Sequence, residues 1–179
     1  MKRDGACISL WQDGMADYKS KAGSADKNKI FDVLIVGGGI TGITTGLLLQ
    51  QAGKSVMIAE GQNIGFGTTG GTTAHLNTLL DTPYNQIVKN FDEDAAKLVA
   101  KAARESLDLV KKHVKEYKID CGYKELQAYL YSQDEKQTKE LDEIFEATQK
   151  AGVEVSVSNT IPVKIPFEKA IEIPAQASC

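Results

Sequence analysis

The first strong hydrophobic pattern in the chain is a short run rich in Ile and Val over residues 30–36, which meets Gly37, Gly39 and Gly42. An apolar helical stretch over residues 43–52, Gly53, a second apolar run and then Glu60 follow. This order predicts a strand, a glycine turn, a helix and a second strand with a carboxylate where it ends. Further on, Thr82-Pro83 predicts the start of a short helix, with Pro in its first turn. Asp92, Glu93 and Asp94 open a longer one, acids at the end where the dipole favours them. Its apolar stripe is Ala95, Val99, Ala103, Val110, Val114 and Tyr117, while Lys101, Glu105, Lys112 and Glu116 read as a solvated face.

Residues 122–132 alternate as a strand, with Leu126, Ala128 and Leu130 on one face and Tyr129 and Tyr131 on the other. Ser132 and Glu135 make a capping box that starts a helix ending at Gly152, a natural C′ residue. Val153, Val155 and Val157 alternate as another strand. Pro162, Pro166 and Pro174 restrict the strands of the tail to short or edge positions, and residues 175–179 carry no closing strand or helix signal. Residues 1–29 are polar and read as an extended arm, in which Trp11 either pins the arm to the body or belongs to a loose tail. No internal repeat is visible.

Each glycine of the turn has a physical task. Gly37 permits the tight turn, Gly39 lets the backbone approach a pyrophosphate, and Gly42 lets the helix pack close to the sheet. A pyrophosphate at this helix N-terminus meets unpaired N–H groups and the positive end of the dipole. Glu60 is placed to accept a ribose hydroxyl, at the separation of about 20 residues that a dinucleotide site requires. The alternative is an ordinary glycine-rich βα turn of an α/β protein that binds nothing; the agreement of strand, helix and acid favours the dinucleotide site. Three features favour FAD over NAD. Gly46 thins the helix further, no third strand follows promptly, and a second small-residue run occupies residues 65–73. Glycine backbone and threonine hydroxyls in that run can line an extended cofactor, although Gly and Thr also mark ordinary surface loops.

The segment VLIVGGGITGITTGLLLQQAGKSVMIAE, followed by GFGTTGGTTAHL, resembles the D-amino-acid oxidase/glycine oxidase superfamily of FAD-dependent oxidoreductases. The opening RDGACISLWQ and the run TTGGTTAHL are similar to a bacterial branch that often carries a C-terminal Rieske iron–sulfur domain. The resemblance is most specific over residues 33–76. It implies an α/β fold, with a Rossmann-type FAD-binding domain of the glutathione-reductase type interleaved with an antiparallel substrate domain. It also implies an enzyme that oxidises an amine or amino acid by hydride transfer to flavin. The expected divisions are an arm over 1–29, a βαβ core over 30–82 and a partial substrate domain over 83–179. Superfamily members are about twice this length or more, so the expectation is an N-terminal fragment or truncated product, inactive by itself. Cofactor-binding residues are expected at Gly37, Gly39, Ile40, Thr41, Gly42 and Glu60, and at Gly67, Thr68, Thr69, Thr72, Thr73 and Ala74. The alternatives are an NAD(P)-dependent dehydrogenase domain and a non-catalytic, truncated nucleotide-binding protein.

Composition changes this picture little. At 179 residues, 42% hydrophobic and 25% charged, the chain is ordinary for a soluble globular protein. A net charge of −3 gives no reason to expect nucleic-acid binding. No run is long and apolar enough to span a membrane, and the N-terminus has no apolar core of a secretory signal. Cys7, Cys121 and Cys179 are odd in number and widely spaced, which argues against a disulfide framework or zinc site and for incidental thiols in a reducing cytoplasm. No metal ligands, Rieske ligand pairs or catalytic residues can be assembled, which suits chemistry carried by a cofactor. His113 is expected on the surface. His75 has three open roles: structural, hydrogen-bonding near the flavin, or covalent attachment of the kind some relatives carry, whose surrounding residues match poorly here. Tyr123, Tyr129 and Tyr131 are expected in the core rather than against a substrate.

Overall fold

The structure, a computed structural model, describes Ser9, residues 11–13 and residues 28–179. Most of the expected arm over residues 1–29, including Cys7, lies outside the described residues. The chain divides into two compact units, Met1–Thr73 and Ala74–Cys179. The division falls earlier than the expected one after residue 82. The reason is that β3 (His75–Leu76), Thr78 and Tyr84 pair or pack with strands and helices of the second unit.

In the first unit, β1 (Val33–Val36) and β2 (Val56–Ala59) pair in parallel, Val33 opposite Val56 and Val36 opposite Ala59, and α1 (Ile40–Gln51) connects them. The strand begins at Val33, three residues later than its apolar run, because Asp32 is committed to a brace with Ser55. The Asp32 carboxylate accepts from the Ser55 N–H at 2.8 Å and its hydroxyl at 2.7 Å, and the Asp32 N–H donates back to Ser55 Oγ at 3.0 Å. The helix begins at Ile40, earlier than residue 43, so Thr41 and Gly42 belong to its first turn. At its other end Gly53 (φ +80°) donates to Gln50 O and Lys54 to Leu49 O, the paired closure of a left-handed C-terminal cap.

The second unit is an antiparallel sheet covered by helices. Its strands are β3, β4 (Lys124–Ser132), β5 (Ser156–Ser158) and β6 (Lys169–Ser178). Its helices are α2 (Tyr84–Asn90), α3 (Glu93–Glu116) and α4 (Glu135–Lys150). β6 is the centre, with β4 along one side and β5 and β3 both paired to it. The core gathers Tyr84 and Ile87 of α2, Ala96 and Ala100 of α3, Leu141 of α4, then Val153, Val155, Ile171 and Ile173.

The tail therefore corrects the expectation drawn from its prolines. Residues 169–178 form a ten-residue central strand, and residues 175–178 are part of it. Pro174 is accommodated by a bulge. Leu126 pairs with Gln176 and Ala128 with Ile173, so Pro174 and Ala175 together oppose Gln127. Ala175 takes φ +54° there, and Arg104 on α3 donates to its carbonyl at 2.9 Å.

Other local expectations shift by a residue or two. The residues of α3 that bury most deeply are Ala96, Ala100 and Leu107, beside the expected stripe, and Tyr117 is 44% exposed. The expected capping box is replaced: Asp134 caps α4 by accepting from the Gln137 N–H at 2.8 Å. Ser132 stays in β4, where its hydroxyl is 2.7 Å from that of Thr138. Gly152 (φ +87°) closes α4 as expected, donating to Gln149 O while Val153 donates to Thr148 O. Val153 and Val155 are buried, but the paired strand starts only at Ser156 and Val157 is exposed. β4 starts at Lys124 rather than 122. Leu126, Leu130 and Tyr131 on it are exposed and Tyr129 is half-buried, so none of these residues is core.

A buried polar knot holds β6 to the segment after β3. Gln176 Oε1 accepts from the Thr78 N–H at 2.5 Å, and its Nε2 donates to Pro174 O at 2.7 Å and Thr78 Oγ1 at 3.0 Å. Tyr84 donates its hydroxyl to Thr78 O. Gln176 and Thr78 are 2% and 1% exposed, so their groups have no water to fall back on. Gln176→Leu leaves the Thr78 N–H and Pro174 carbonyl without partners. It is expected to destabilise the protein by about 2–4 kcal/mol, read as a lowered melting temperature. An unchanged melting temperature would show that the knot contributes nothing to stability.

Candidate functional site

The glycine turn between β1 and α1 is built from backbone contacts that side chains would obstruct. Gly37 adopts φ +106°, a region that L-residues avoid, and its N–H donates to Ala59 O at 2.8 Å. A Cβ on Gly42 would stand 2.0 Å from the Gly37 carbonyl oxygen and 3.3 Å from Ile35 Cγ2. A Cβ on Gly46 would stand 3.0 Å from Ile58 Cδ1. Helix α1 thus lies against both the turn and the sheet because two of its residues have no side chain.

Glu60 closes the other side of the turn. Its Oε2 accepts from the Gly38 N–H at 2.6 Å and its Oε1 from the Gln62 N–H at 2.8 Å. These amides, Gly38 first, hold its carboxyl below the usual glutamate range. A carboxylate has about four lone-pair sites, so two amides leave room for further donors. Gly38 was not singled out in the sequence; the signal was three consecutive glycines, the middle one free to bring its N–H against an acid at the next strand's end.

The second small-residue run folds onto this turn within the same unit. The Gly65 N–H donates to Gly38 O at 2.9 Å, and the Ile40 N–H donates to Thr69 Oγ1 at 3.0 Å. A Cβ on Gly39 would stand 3.0 Å from that same threonine oxygen. Gly67 (φ +81°), Thr68, Thr69, Thr72 and Thr73 lie on this loop, where Gly71 N–H donates to Gly67 O at 3.0 Å. Trp11 does anchor here, its indole N–H donating to Thr72 O at 2.7 Å, and Ser9 donates its hydroxyl to Gly70 O. Ala74 differs from the rest: it opens the second unit at φ +58° and accepts from the Cys179 N–H at 3.3 Å.

The electrostatics suit an anion. Gly39 caps α1 without a side-chain hydrogen bond, and the helix has no acidic residue in its first turn; the fixed acceptors nearby are Thr69 Oγ1 on the Ile40 N–H and the Glu60 carboxylate on the Gly38 N–H. An approach that only glycine permits, a helix N-terminus and a carboxylate together match the diphosphate and ribose of a dinucleotide. The family model described as FAD dependent oxidoreductase (DAO) matches residues 32–174. The chain belongs to this family.

The relatives agree with the assignment. The chain is 34% identical over 146 residues to the putative Rieske 2Fe-2S iron-sulfur protein YhfW of Bacillus subtilis, covering 82% of this chain and 29% of that one. It is 33% identical over 93 residues to gamma-glutamylputrescine oxidoreductase of Escherichia coli, covering 52% of this chain and 22% of that one. The solved structure of L-proline dehydrogenase from P. horikoshii superposes with a TM-score of 0.63 at 20% identity, over 84% of this chain and 38% of that one. The chain thus spans less than a third of the curated relatives it matches and well under half of the solved one. The chain is thus a mixed α/β protein of the DAO family, with a parallel βαβ in the first unit and an antiparallel sheet in the second.

The remaining candidates separate. His75 is exposed at the start of β3, opposite Ser178. His113 is half-buried rather than on the surface and meets the Tyr117 ring edge-on at 5.7 Å. Tyr123 is half-buried. Cys121 and Cys179, expected to be incidental thiols, lie with their sulfurs 2.9 Å apart. Spacing in sequence could not reveal this, because β4 and β6 bring their ends together only in the fold. Among the described residues no helix is long and apolar enough to cross a membrane.

Two outcomes test the turn. Gly42→Ala is expected to cost about 3 kcal/mol by overpacking, because no Cβ can sit 2.0 Å from a backbone oxygen. Gly61→Ala, where a Cβ meets nothing within 4 Å, should stay within about 0.5 kcal/mol of the parent. Equal melting temperatures for the two variants would refute the close approach of α1. The second outcome concerns Glu60, whose folded carboxyl lies below its ordinary value of 4.5. Its contribution is fully present above that value and is lost as pH falls through the lower folded value. Glu60→Gln should therefore flatten the acid limb of a melting temperature–pH profile and leave its neutral-to-alkaline shape unchanged. Parallel acid limbs would show that the amide contacts do not stabilise the carboxylate.

Proposed function

We propose that these residues form the diphosphate and ribose end of the FAD site in an enzyme that oxidises a C–N bond of an amine or amino acid. The observation that carries this reading is the Glu60 carboxylate held by Gly38 and Gln62 beside a helix N-terminus whose capping residue, Gly39, has no side chain. In this reading the N–H groups of Gly39 and Thr41 donate to the diphosphate, Ile40 reaches it through the Thr69 hydroxyl that its N–H holds, Gly37 and Gly42 keep the turn tight, and Glu60 accepts from the ribose. Thr69, which accepts from Ile40, still has its own hydroxyl proton to donate to a phosphate oxygen. Gly67, Thr68, Thr72 and Thr73 line the further length of the cofactor. FAD, when bound, supplies the hydride acceptor; the protein supplies position and electrostatics. Of the relatives named above, gamma-glutamylputrescine oxidoreductase and L-proline dehydrogenase are named for compounds that contain C–N bonds.

The same reading pairs the flavin with a Rieske iron–sulfur domain elsewhere in the protein, supported by the name of the Bacillus relative. It sets the enzyme in the cytoplasm, where thiols such as Cys121 and Cys179 are kept reduced.

The purified protein is expected to absorb in the flavin bands and to release FAD on denaturation. Gly39→Val should fold and be colourless, since its side chain would fill the phosphate's approach. Glu60→Gln should retain FAD about tenfold less tightly, having exchanged a charge-assisted acceptor for a neutral one. Bound nicotinamide dinucleotide in place of FAD, or a yellow Gly39→Val protein with normal flavin content, would refute the assignment.

A further inference from the structure

Two of the chain's three cysteines meet although 58 positions separate them. Cys121 sits in the connection between α3 and β4, folded back on itself by Lys118 (φ +51°) and Gly122 (φ +68°). Cys179 follows β6, beyond the pairing of Lys124 with Ser178, and its N–H is held by Ala74 O. Their sulfurs are 2.9 Å apart. This is within about 1 Å of the bonded separation, about 2.04 Å. Both residues are half-buried, so a small oxidant can reach them while the surrounding sheet holds them in register.

We propose that Cys121 and Cys179 are a redox pair that closes to a disulfide when the protein meets hydrogen peroxide. The geometry supplies what a lone thiol lacks, a resolving sulfur already in place. Burial, and then the neighbouring Cys121 thiol, push the Cys179 thiol up to about 11. Cys179 therefore carries its proton at neutral pH and serves as the resolving thiol.

In the first step the Cys121 sulfur attacks one peroxide oxygen. An S–O bond forms, the O–O bond breaks, and the departing hydroxide takes the proton Cys121 released, leaving as water. In the second step the Cys179 sulfur attacks Cys121. The S–S bond forms, the S–O bond breaks, and the hydroxyl leaves with the Cys179 proton as a second water. Two thiols lose two hydrogens and two electrons, and one peroxide is reduced to two waters. A thiol reductant reverses the reaction by exchange.

The cross-link ties the connection after α3 to the end of β6 and, through the Ala74 hydrogen bond, to the start of β3. It closes a long loop and so restricts the unfolded chain. The proposal does not depend on turnover or on flavin, because the oxidant is added.

The test treats a Cys7→Ser variant of these 179 residues, whose cysteines are then this pair alone, with stoichiometric hydrogen peroxide, then alkylates free thiols. Intact mass and a non-reducing peptide map are expected to show the loss of two hydrogens, no alkylation, and one joined peptide containing Cys121 and Cys179. The melting temperature should rise by about 5 °C or more and return with dithiothreitol. The unsubstituted protein should give the same joined peptide. In Cys121→Ser and Cys179→Ser the cross-link should disappear, the remaining sulfur ending as a sulfenic or sulfinic acid. Two alkylated thiols after peroxide, or two sulfurs oxidised separately without a joined peptide, would overturn the proposal.

Discussion

The glycine turn of this protein depends on one close approach, that of α1 to the carbonyl of Gly37. Gly42 has no Cβ, so the helix can start within contact of the turn's own backbone. That contact fixes where the helix N-terminus points. The adjacent turn carries Gly38, whose N–H is aimed at Glu60 across the sheet. Moving α1 outward by even the width of a methyl group would displace the N–H groups at its start and the glycine turn together. The site is therefore less a set of independent ligands than a single backbone arrangement, made possible by an absence of side chains.

Glu60 plays a double part in that arrangement. It is an acid at the end of β2, but its oxygens already accept from Gly38 and Gln62. Such a carboxylate is oriented before any ligand arrives, so little conformational freedom remains to be lost on binding. Thr69 is comparable on the opposite side, an oxygen held at the N–H of Ile40 by the loop that carries it. The first unit presents acceptors and donors in fixed positions around the N-terminus of α1.

The glycine turn was legible in the sequence because every determinant of it is local. Strand, glycines, helix and acid follow one another within about thirty residues, and each is decided by its own neighbours. The two helices opened by Thr82-Pro83 and by Asp92 were legible for the same reason. The start of α4 was misplaced by two residues because Ser132 and Asp134 are both competent caps. The choice was made by β4, which extends through Ser132 to pair with Lys169. The tail was misread for a different reason. Pro174 argues against a central strand unless a bulge admits it, and that bulge is defined by register against β4 and by Arg104 on α3. Neither partner is near Pro174 in sequence. The contact between Thr69 and Ile40 and that between Cys121 and Cys179 were invisible for the same cause: they are products of tertiary placement, with no periodicity to betray them.

The position of β6 has a consequence for how the second unit comes into being. Among the described residues, β3, β4 and β5 all pair with β6 and with no other strand. β3 lies about a hundred residues before its partner, Leu76 opposite Ala177, and β4 about forty to fifty before, Lys124 opposite Ser178. On the ribosome the helices can form as they emerge, but each of the earlier strands must wait with open edges until residues 169–178 are made. Chain closure over such distances is slow, and unpaired edges invite pairing with other chains. The assembly of these four strands thus waits for the synthesis of β6, and the interval before it is when a chaperone has most to protect.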